Sequence, residues 1–221
     1  MKHITSRDNP LFKSLAKLVQ SSRERRKAGM TVLDGPHLIA AYQSSIGPPR
    51  MVVVSESARE KPEIAALLDS MGKSEAVVFS DSLFSQVAVV ANPVGIAAVI
   101  ETPKPPATVA APGFLVALEG LQDPGNLGSI LRSCAAAGVD GVLLSPECVY
   151  AWSPRVIRAA MGAHFRLRLH EQVDLVTFLE RFPGEVVAAD STDGLTLFGT
   201  NLRGSVAMVF GNEGAGVSDN L

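Results

Sequence analysis

Cysteine, histidine and tryptophan are scarce in this chain of 221 residues, which contains two cysteines, four histidines and one tryptophan. So low a cysteine content excludes a disulfide-stabilised scaffold, and we expect Cys134 and Cys148 to be small hydrophobic residues in a reducing compartment. The histidines show no metal-ligand spacing among themselves or with the cysteines. No metal site is therefore expected.

Long apolar runs are also lacking. Even the strand-like runs stop within about ten residues, well short of the ~20 that a membrane-spanning helix needs. The first residues, MKHITSRDNPLFK, contain no apolar signal-peptide core. With 47% hydrophobic and 19% charged residues, the chain has the composition of a globular protein with a substantial core. These features predict a cytoplasmic protein with no membrane partner.

The chain as a whole carries little net charge, but its first 30 residues are strongly basic. The formal net charge of −2 gives no sign of a nucleic-acid partner, yet residues 1–30 hold eight Lys and Arg side chains against two acidic ones, a local charge of +6. Such a patch suits contact with a phosphate backbone, although a solvated helix face explains it equally well. The candidates for this contact are Lys2, Arg7, Lys13, Arg23, Arg25 and Arg26. The same two interpretations apply to Arg155, Arg158, Arg166 and Arg168.

Proline marks a boundary between two regions. Residues 1–101 alternate strand-like and helix-like patterns, as expected for a small α/β domain. Residues 102–113 contain four prolines among small residues and threonines, which predicts a stiff linker. The alternation resumes over residues 114–221 as a second α/β domain. Within these regions we expect SSRERRK to end or extend the first helix, and the alternating HFRLRLH to form a half-exposed strand.

The second region opens with a strand, a turn and a helix. Phe114–Leu118 is a continuous apolar run, typical of a strand buried on both faces of a parallel sheet. A turn containing Asp-Pro-Gly-Asn follows, and the helical pattern after it ends at Gly138. The side chains of Asn126, Ser129 and Arg132 lie on a non-core stripe of this helix. An exposed helix face explains each of them singly, but together, after a glycine-rich turn, they indicate a site at the strand's carboxyl end.

The last strand leads into a glycine-rich loop, VAMVFGNEGAGVS. Glycines at 211, 214 and 216 surround Asn212 and Glu213, so the backbone is able to approach a ligand beside a single carboxylate. A flexible strand-to-helix turn is the alternative. Neither loop has the spacing of a dinucleotide fingerprint, and no Walker Lys-Ser/Thr pair is present, which disfavours a nucleotide-dependent oxidoreductase.

These segments resemble motifs of a known family. LEGLQDPGNLGSILRSCAAAG is similar to the first motif of the SpoU (TrmH-type) RNA ribose 2′-O-methyltransferases of the SPOUT superfamily, and VFGNEGAGVS is similar to the second. RAAMGAHFRL resembles the segment that connects the motifs. TVLDGPHLIAAY and VANPVGIAAVI resemble the family's L30e-like substrate-binding domain. The likeness covers nearly the whole chain.

The resemblance implies a trefoil-knotted α/β methyltransferase domain behind an L30e-like RNA-binding domain. It implies S-adenosylmethionine as methyl donor, RNA as substrate (ribosomal RNA, with transfer RNA as the alternative) and a homodimer with its site at the subunit interface. Carried over by position, Asn126, Arg132 and Glu213 are the catalytic residues. The implied cofactor-binding residues are Gly211, Asn212, Gly214, Ala189, Asp190 and Ser191.

In one respect the sequence departs from the family pattern. The family's third motif, a proline-containing strand before a serine- and asparagine-rich helix start, does not appear before Leu221. In the family this motif contacts the adenine of the cofactor, so we expect the natural protein to continue beyond this residue. The competing hypothesis is a non-catalytic RNA-binding protein with a degenerate methyltransferase half, against which the intact Asn126, Arg132 and Glu213 count.

The chemistry implied by the resemblance is an in-line methyl transfer to a hydroxyl. The donor leaves as a neutral thioether, so the demanding step is the positioning and deprotonation of the 2′-OH. A guanidinium is protonated under ordinary conditions. We therefore expect Arg132 to bind a phosphate through two parallel N–H bonds and to stabilise the developing alkoxide electrostatically. Glu213 is expected to orient Arg132 or to accept the proton through water.

Overall fold

The structure of the protein is a computed structural model that describes residues 1–72, 74–106, 113–189, 194 and 196–221. These residues form two compact units. The first combines Met1–Pro103 with Trp152–Phe165, and the second combines Lys104–Ala151 with Arg166–Leu221. The first unit thus takes in a segment that lies, in sequence, within the predicted second domain.

The elements alternate along the chain as the hydrophobic pattern predicts. The first region contains β1 (Lys2–Ile4), α1 (Pro10–Gln20), α2 (Ser22–Ala28), β2 (Met30–Asp34), α3 (Pro36–Ser45), β3 (Met51–Ser55), α4 (Glu56–Arg59), α5 (Pro62–Ser70), β4 (Glu75–Phe79), α6 (Asp81–Ser85) and β5 (Ile96–Glu101). The second contains β6 (Phe114–Leu118), α7 (Pro124–Ala137), β7 (Gly141–Leu144), α8 (Pro154–Ala159), β8 (Leu169–His170), α9 (Leu175–Leu179), β9 (Glu185–Ala188) and β10 (Val206–Phe210).

The first unit is built on a five-stranded mixed sheet with the order β1-β4-β3-β5-β2. β5 runs antiparallel to β2 and β3, whereas β4 pairs parallel with β1 and β3. Helix α1 buries Phe12, Leu15 and Leu18 in the core of this unit, the apolar stripe of an amphipathic helix.

The first helix ends at SSRERRK, one of the two predicted outcomes, because α1 stops at Gln20 and Ser21 is its C-cap. The segment then forms a helix of its own, α2, whose first turn is capped by the Ser21 hydroxyl and which ends at Gly29, at φ 62°. The HFRLRLH segment is mostly not a strand: its first two residues belong to a short 3₁₀ helix, and only Leu169–His170 pairs in a sheet. The chain turns through positive φ at Met161 and Gly162, just before this segment.

The second unit is built on a five-stranded parallel sheet with the order β8-β7-β6-β10-β9. As expected for a central parallel strand, Leu115–Leu118 of β6 are fully buried. Chain order reverses between β6 and β10, because β7 and β8 extend the sheet on one side and β9 on the other. Strand order and register do not establish threading, so the trefoil knot stays a prediction. No helix among the described residues has both the length and the apolar character to span a membrane.

Candidate functional site

Two loops start side by side at the carboxyl edge of the second sheet. Leu118, the last residue of β6, pairs with Phe210, the last residue of the parallel strand β10. The loop that begins at Glu119 and the loop that begins at Gly211 therefore leave the sheet together. They leave it at the point where strand order reverses, which is where open parallel sheets bind ligands.

The first loop leads directly into a well-capped helix. The Asp123 side chain accepts a 2.8 Å hydrogen bond from the Asn126 amide, Pro124 opens α7, and Gly138 closes it in the left-handed conformation at φ 70°. The apolar side of α7 is buried at Leu127, Leu131 and Cys134. As the helical period predicts, the side chains exposed on its other stripe are Asn126, Ser129 and Arg132.

The second loop closes tightly on itself. Asn212 and Gly216 exchange two backbone hydrogen bonds of 2.9 Å, and the Asn212 side-chain oxygen also accepts from the amides of Gly214 and Ala215. A Cβ at position 211 would lie 1.9 Å from the Gly216 carbonyl oxygen, so only glycine fits there. Residues 211–218, which we call the glycine loop, are thus a defined turn at this edge.

Side chains of the glycine loop fasten it to the first loop. Glu213 Oε1 accepts from the Asp123 amide at 3.1 Å and from Asn126 Nδ2 at 3.3 Å, while its Oε2 accepts from the Gln122 amide at 3.4 Å. Asn212 Nδ2 donates to the Gly120 carbonyl at 2.7 Å. Of the three predicted catalytic residues, Asn126 and Glu213 are therefore in contact.

Hydrogen bonds to Glu213 lower the pKa of its carboxyl below its ordinary value. The largest contribution comes from its own backbone amide, burial opposes it, and hydrogen bonds from Asp123, Asn126 and Gln122 add to the lowering. A carboxylate with a lowered pKa is a poor proton acceptor but a strong hydrogen-bond acceptor.

Arg132 is not joined to this pair. It is exposed on α7, and within the part of the chain that the structure describes it makes no hydrogen bond or ion pair. Six residues along the helix place its Cα ~9 Å from that of Asn126 along the axis. The chain therefore leaves its guanidinium available to another molecule.

The predicted cofactor residues lie partly at the same edge. Ala189 directly follows β9, and its amide donates to the Val209 carbonyl at 2.9 Å, so it stands beside the end of β10 and is exposed. Gly211, Asn212 and Gly214 belong to the glycine loop. Asp190 and Ser191 lie outside the described residues.

The basic residues of the first unit fall into two groups. Lys2, Arg7, Lys13, Arg23 and Arg26 are exposed, with Lys13 paired to Asp8 at 3.0 Å. Arg25 is only 4% exposed, and its Nη1 donates to the carbonyls of Leu18 and Val19 at 2.7 and 3.0 Å. The structure corrects the prediction here, because Arg25 holds α2 to the end of α1 and is not presented to a phosphate.

One structural residue was missed by the sequence analysis. Asp34, the last residue of β2, is buried and accepts a 2.8 Å hydrogen bond from Arg158 Nη1. Burial raises the pKa of the Asp34 carboxyl, and Arg158 opposes that rise. The contact packs Trp152–Phe165 into the first unit, together with a 2.6 Å hydrogen bond from the Thr31 hydroxyl to the Trp152 carbonyl. Arg158 is therefore not simply a solvated charge.

Among the described residues, no group of three or more His, Cys, Asp or Glu side chains is placed to hold a metal ion. The site consists of backbone amides, the amide side chains of Asn126 and Asn212 and the carboxylate of Glu213, with the exposed guanidinium of Arg132 further along α7. Such a set suits binding, orientation and charge stabilisation.

Two family models match the chain. That of the SpoU rRNA methylase family covers residues 113–221, and that of the MRM3-like substrate-binding domain covers residues 9–98. Their order is the order of the two predicted domains.

Similar proteins span almost the entire chain. An uncharacterised tRNA/rRNA methyltransferase of Synechocystis is 32% identical over 97% of this chain and 80% of its own length. The 23S rRNA (guanosine(2553)-2′-O)-methyltransferase RlmP of Bacillus subtilis is 28% identical over 100% of this chain and 86% of its own. Among solved structures, the AdoMet-bound rRNA methyltransferase from Sinorhizobium meliloti superposes with a TM-score of 0.81 at 24% identity, covering 98% of this chain and 83% of that one.

Proposed function

Because the chain belongs to the SpoU rRNA methylase family, we propose that it transfers a methyl group from S-adenosylmethionine to a ribose 2′-OH of ribosomal RNA. The reaction takes place where the loops after β6 and β10 meet. The observation that carries this proposal is the 3.3 Å hydrogen bond from Asn126 Nδ2 to Glu213 Oε1, which joins the two motifs of the family at one edge of the sheet.

S-adenosylmethionine suits the residues at this edge. Strands β6, β9 and β10 end there in parallel, and the turn at Gly211 has no space for a side chain, so backbone groups line the edge. Gly211, Asn212, Gly214 and Ala189 are the residues that would hold the cofactor, with Asp190 and Ser191 next along the chain. When bound, the cofactor would supply a methyl group on a sulfonium, and the thioether would be the leaving group as the methyl group passes to the ribose 2′-oxygen.

Glu213 and Asn126 order the site in this mechanism. The hydrogen bonds that lower the pKa of the Glu213 carboxyl make it a weaker base, so Glu213 fastens the glycine loop to the start of α7 and does not take up the 2′-OH proton. Asn126 donates to the same carboxylate through its side-chain nitrogen, and its side-chain oxygen is not used in this bond. The pair therefore fixes the geometry in which a ribose is presented, and positioning of this kind lowers a barrier by several kcal/mol.

Arg132 acts on the acceptor. Its guanidinium is exposed and stays protonated, so it grips an RNA phosphate and stabilises the negative charge that develops on the 2′-oxygen as the proton leaves to water. We also propose that the complete site forms in a homodimer with this guanidinium at the subunit interface, as the resemblance of the two motifs implies.

The RNA-binding surface in this proposal is the exposed basic set of the first unit. Lys2, Arg7, Lys13, Arg23 and Arg26 carry it, and Arg25 is left out because it is buried. A folded loop of RNA held there presents one nucleotide to the site. We favour ribosomal over transfer RNA, and the cytoplasm as the location, on the likeness to the Bacillus subtilis 23S rRNA enzyme.

The test maps 2′-O-methyl groups in the RNA of cells with and without the protein. We expect one ribose of ribosomal RNA to lose its methyl group in the deleted strain and to regain it on incubation with the purified protein and S-adenosylmethionine. Calorimetry with S-adenosylmethionine is the companion measurement. Identical methylation maps, together with no heat of cofactor binding, would reject the function.

A further inference from the structure

Glu119 is the first residue beyond β6, and its carboxylate captures the far end of the glycine loop. Glu119 Oε2 accepts a hydrogen bond from the Ser218 amide at 2.8 Å, and its Oε1 accepts one from the Ser218 hydroxyl at 2.7 Å. Both distances are those of well-formed hydrogen bonds. The side chain thus holds one residue by two donors, which fixes both position and orientation.

This contact completes a series of three that bind the two loops together. The entry of the glycine loop is tied by the Asn212 side chain to the Gly120 carbonyl, and its tip is tied by Glu213 to Gln122 and Asp123. The Glu119–Ser218 contact ties the exit. The tip lies within the turn that Asn212 and Gly216 close, and Ser218 follows that turn by two residues.

The first loop is itself hydrogen-bonded to residues at the ends of the neighbouring strands. The Gly120 amide donates to the Ser145 hydroxyl at 3.0 Å, and the Glu119 amide donates to the Phe210 carbonyl at 2.9 Å. Glu119 is therefore anchored to the sheet, while Ser218 is exposed and lies beyond the last strand. Of these two residues, Glu119 is the fixed point and Ser218 is the group it holds.

We propose that Glu119 is a positioning residue for methyl transfer: by holding Ser218 it keeps the glycine loop in the form that binds S-adenosylmethionine and places Glu213. This inference rests on the function proposed above. Since Glu119 acts by accepting two hydrogen bonds, its effect depends on acceptor geometry and not on its negative charge. A glutamine preserves that geometry, with its oxygen accepting from the amide and its NH₂ group donating to the hydroxyl.

The experiment compares E119A, E119Q and S218A in the complete protein. The dissociation constant for S-adenosylmethionine is measured by calorimetry, and the single-turnover rate of RNA methylation is measured with saturating cofactor. We expect E119A to weaken cofactor binding and slow methylation by about tenfold or more each, since small displacements of a site are costly. E119Q should stay within about threefold of the wild type, and S218A, which keeps the backbone donor, should fall between them.

Two controls separate this role from others. Glu180 is an exposed carboxylate that follows α9 in the same unit, and E180Q should leave every measured value unchanged. In the double variant E119A/S218A, the second substitution should add nothing to the first, because the two residues act through one contact.

Several results would overturn the inference. If E119Q is as impaired as E119A, the charge of Glu119 acts directly. If E119A binds and methylates like the wild type, the contact positions nothing. A wild-type protein that neither binds S-adenosylmethionine nor methylates RNA would remove the proposed function, a failure distinct from both of these.

Discussion

The side-chain amide of Asn126 donates a 3.3 Å hydrogen bond to the carboxylate of Glu213, 87 positions further along the chain. The same carboxylate accepts from the amides of Gln122 and Asp123, directly before helix α7. An anion is favourable at this end of a helix, where free amides and the helix dipole meet it. One contact thus joins the start of the helix to the glycine loop.

Substitutions of Asn126 test that contact. In N126D two carboxylates face each other, whereas N126A only removes a donor, so we expect N126D to lose more methylation activity than N126A. The loss should be about tenfold for N126A and larger for N126D at neutral pH. Initial methylation rates provide the measurement, and S133A, on the exposed side of the same helix, is the control. Equal losses in the two variants would show that Asn126 does not act through Glu213.

We expect Arg132 to act on the ribose 2′-OH that accepts the methyl group and not on binding of the cofactor. R132A should abolish turnover while the affinity for S-adenosylmethionine stays within about twofold of the wild type, because the guanidinium stabilises charge only as the reaction proceeds. R132K should recover little of the lost turnover, since the lysine ammonium lacks the planar, paired N–H donors of a guanidinium. Calorimetry and single-turnover kinetics separate the two effects. The exposed Arg181 supplies a matched control, R181A, and a parallel loss of binding and turnover in R132A would make Arg132 structural.

The three arginines of helix α2 offer an internal comparison. Arg23 and Arg26 are exposed, whereas the guanidinium of Arg25 donates to backbone carbonyls of α1. R23A/R26A should weaken RNA binding and reduce its salt dependence without changing the melting temperature. R25A should instead lower the free energy of unfolding by about 1–3 kcal/mol. Filter binding at several salt concentrations and thermal unfolding are the measurements, and a stable R25A protein that loses RNA affinity would restore this residue to the RNA surface.

The Arg158–Asp34 pair predicts a pH-dependent loss of stability. R158A leaves a buried carboxylate without its guanidinium and should cost about 1–3 kcal/mol at pH ~7. Burial already raises the pKa of the Asp34 carboxyl above 3.8, and removing the arginine raises it further. A carboxyl with a raised folded-state pKa binds its proton more readily when folded, so its penalty grows as pH rises through that pKa and disappears below the unfolded value.

The difference in unfolding free energy between R158A and the wild type should therefore shrink when pH falls from about 7 to about 4. Urea unfolding at several pH values measures it. R155A, at an exposed position on the same helix, should show a smaller loss without this pH trend. A constant difference across the range would mean that Arg158 contributes by packing and not by pairing with Asp34.

Much of the local structure was predictable because local rules govern it. The apolar run of Phe114–Leu118, the cap at Asp123 and the glycine at position 138 are neighbours in sequence, and each acts on its own segment. The exposed stripe that carries Asn126 and Arg132 follows from the helical period alone. The prediction for HFRLRLH failed for the opposite reason: its pattern alternates like a strand, but burial of His164 against Trp152, 12 positions earlier, takes its first residues into a different unit.

The order of the elements, the two loops and the residue types that serve the proposed chemistry all follow from local sequence, since they depend on periodicity, turn residues and motif spacing. Which side chains meet depends on how the strands pair and the helices pack. Pairing of β6 with β10 brings Glu119 to Ser218 and Asn126 to Glu213, and packing in the first unit turns Arg25 inward and binds Arg158 to Asp34. The charge and hydrogen-bonding groups of a residue follow from its type. Which partners they contact depends on distances that exist only in the folded protein.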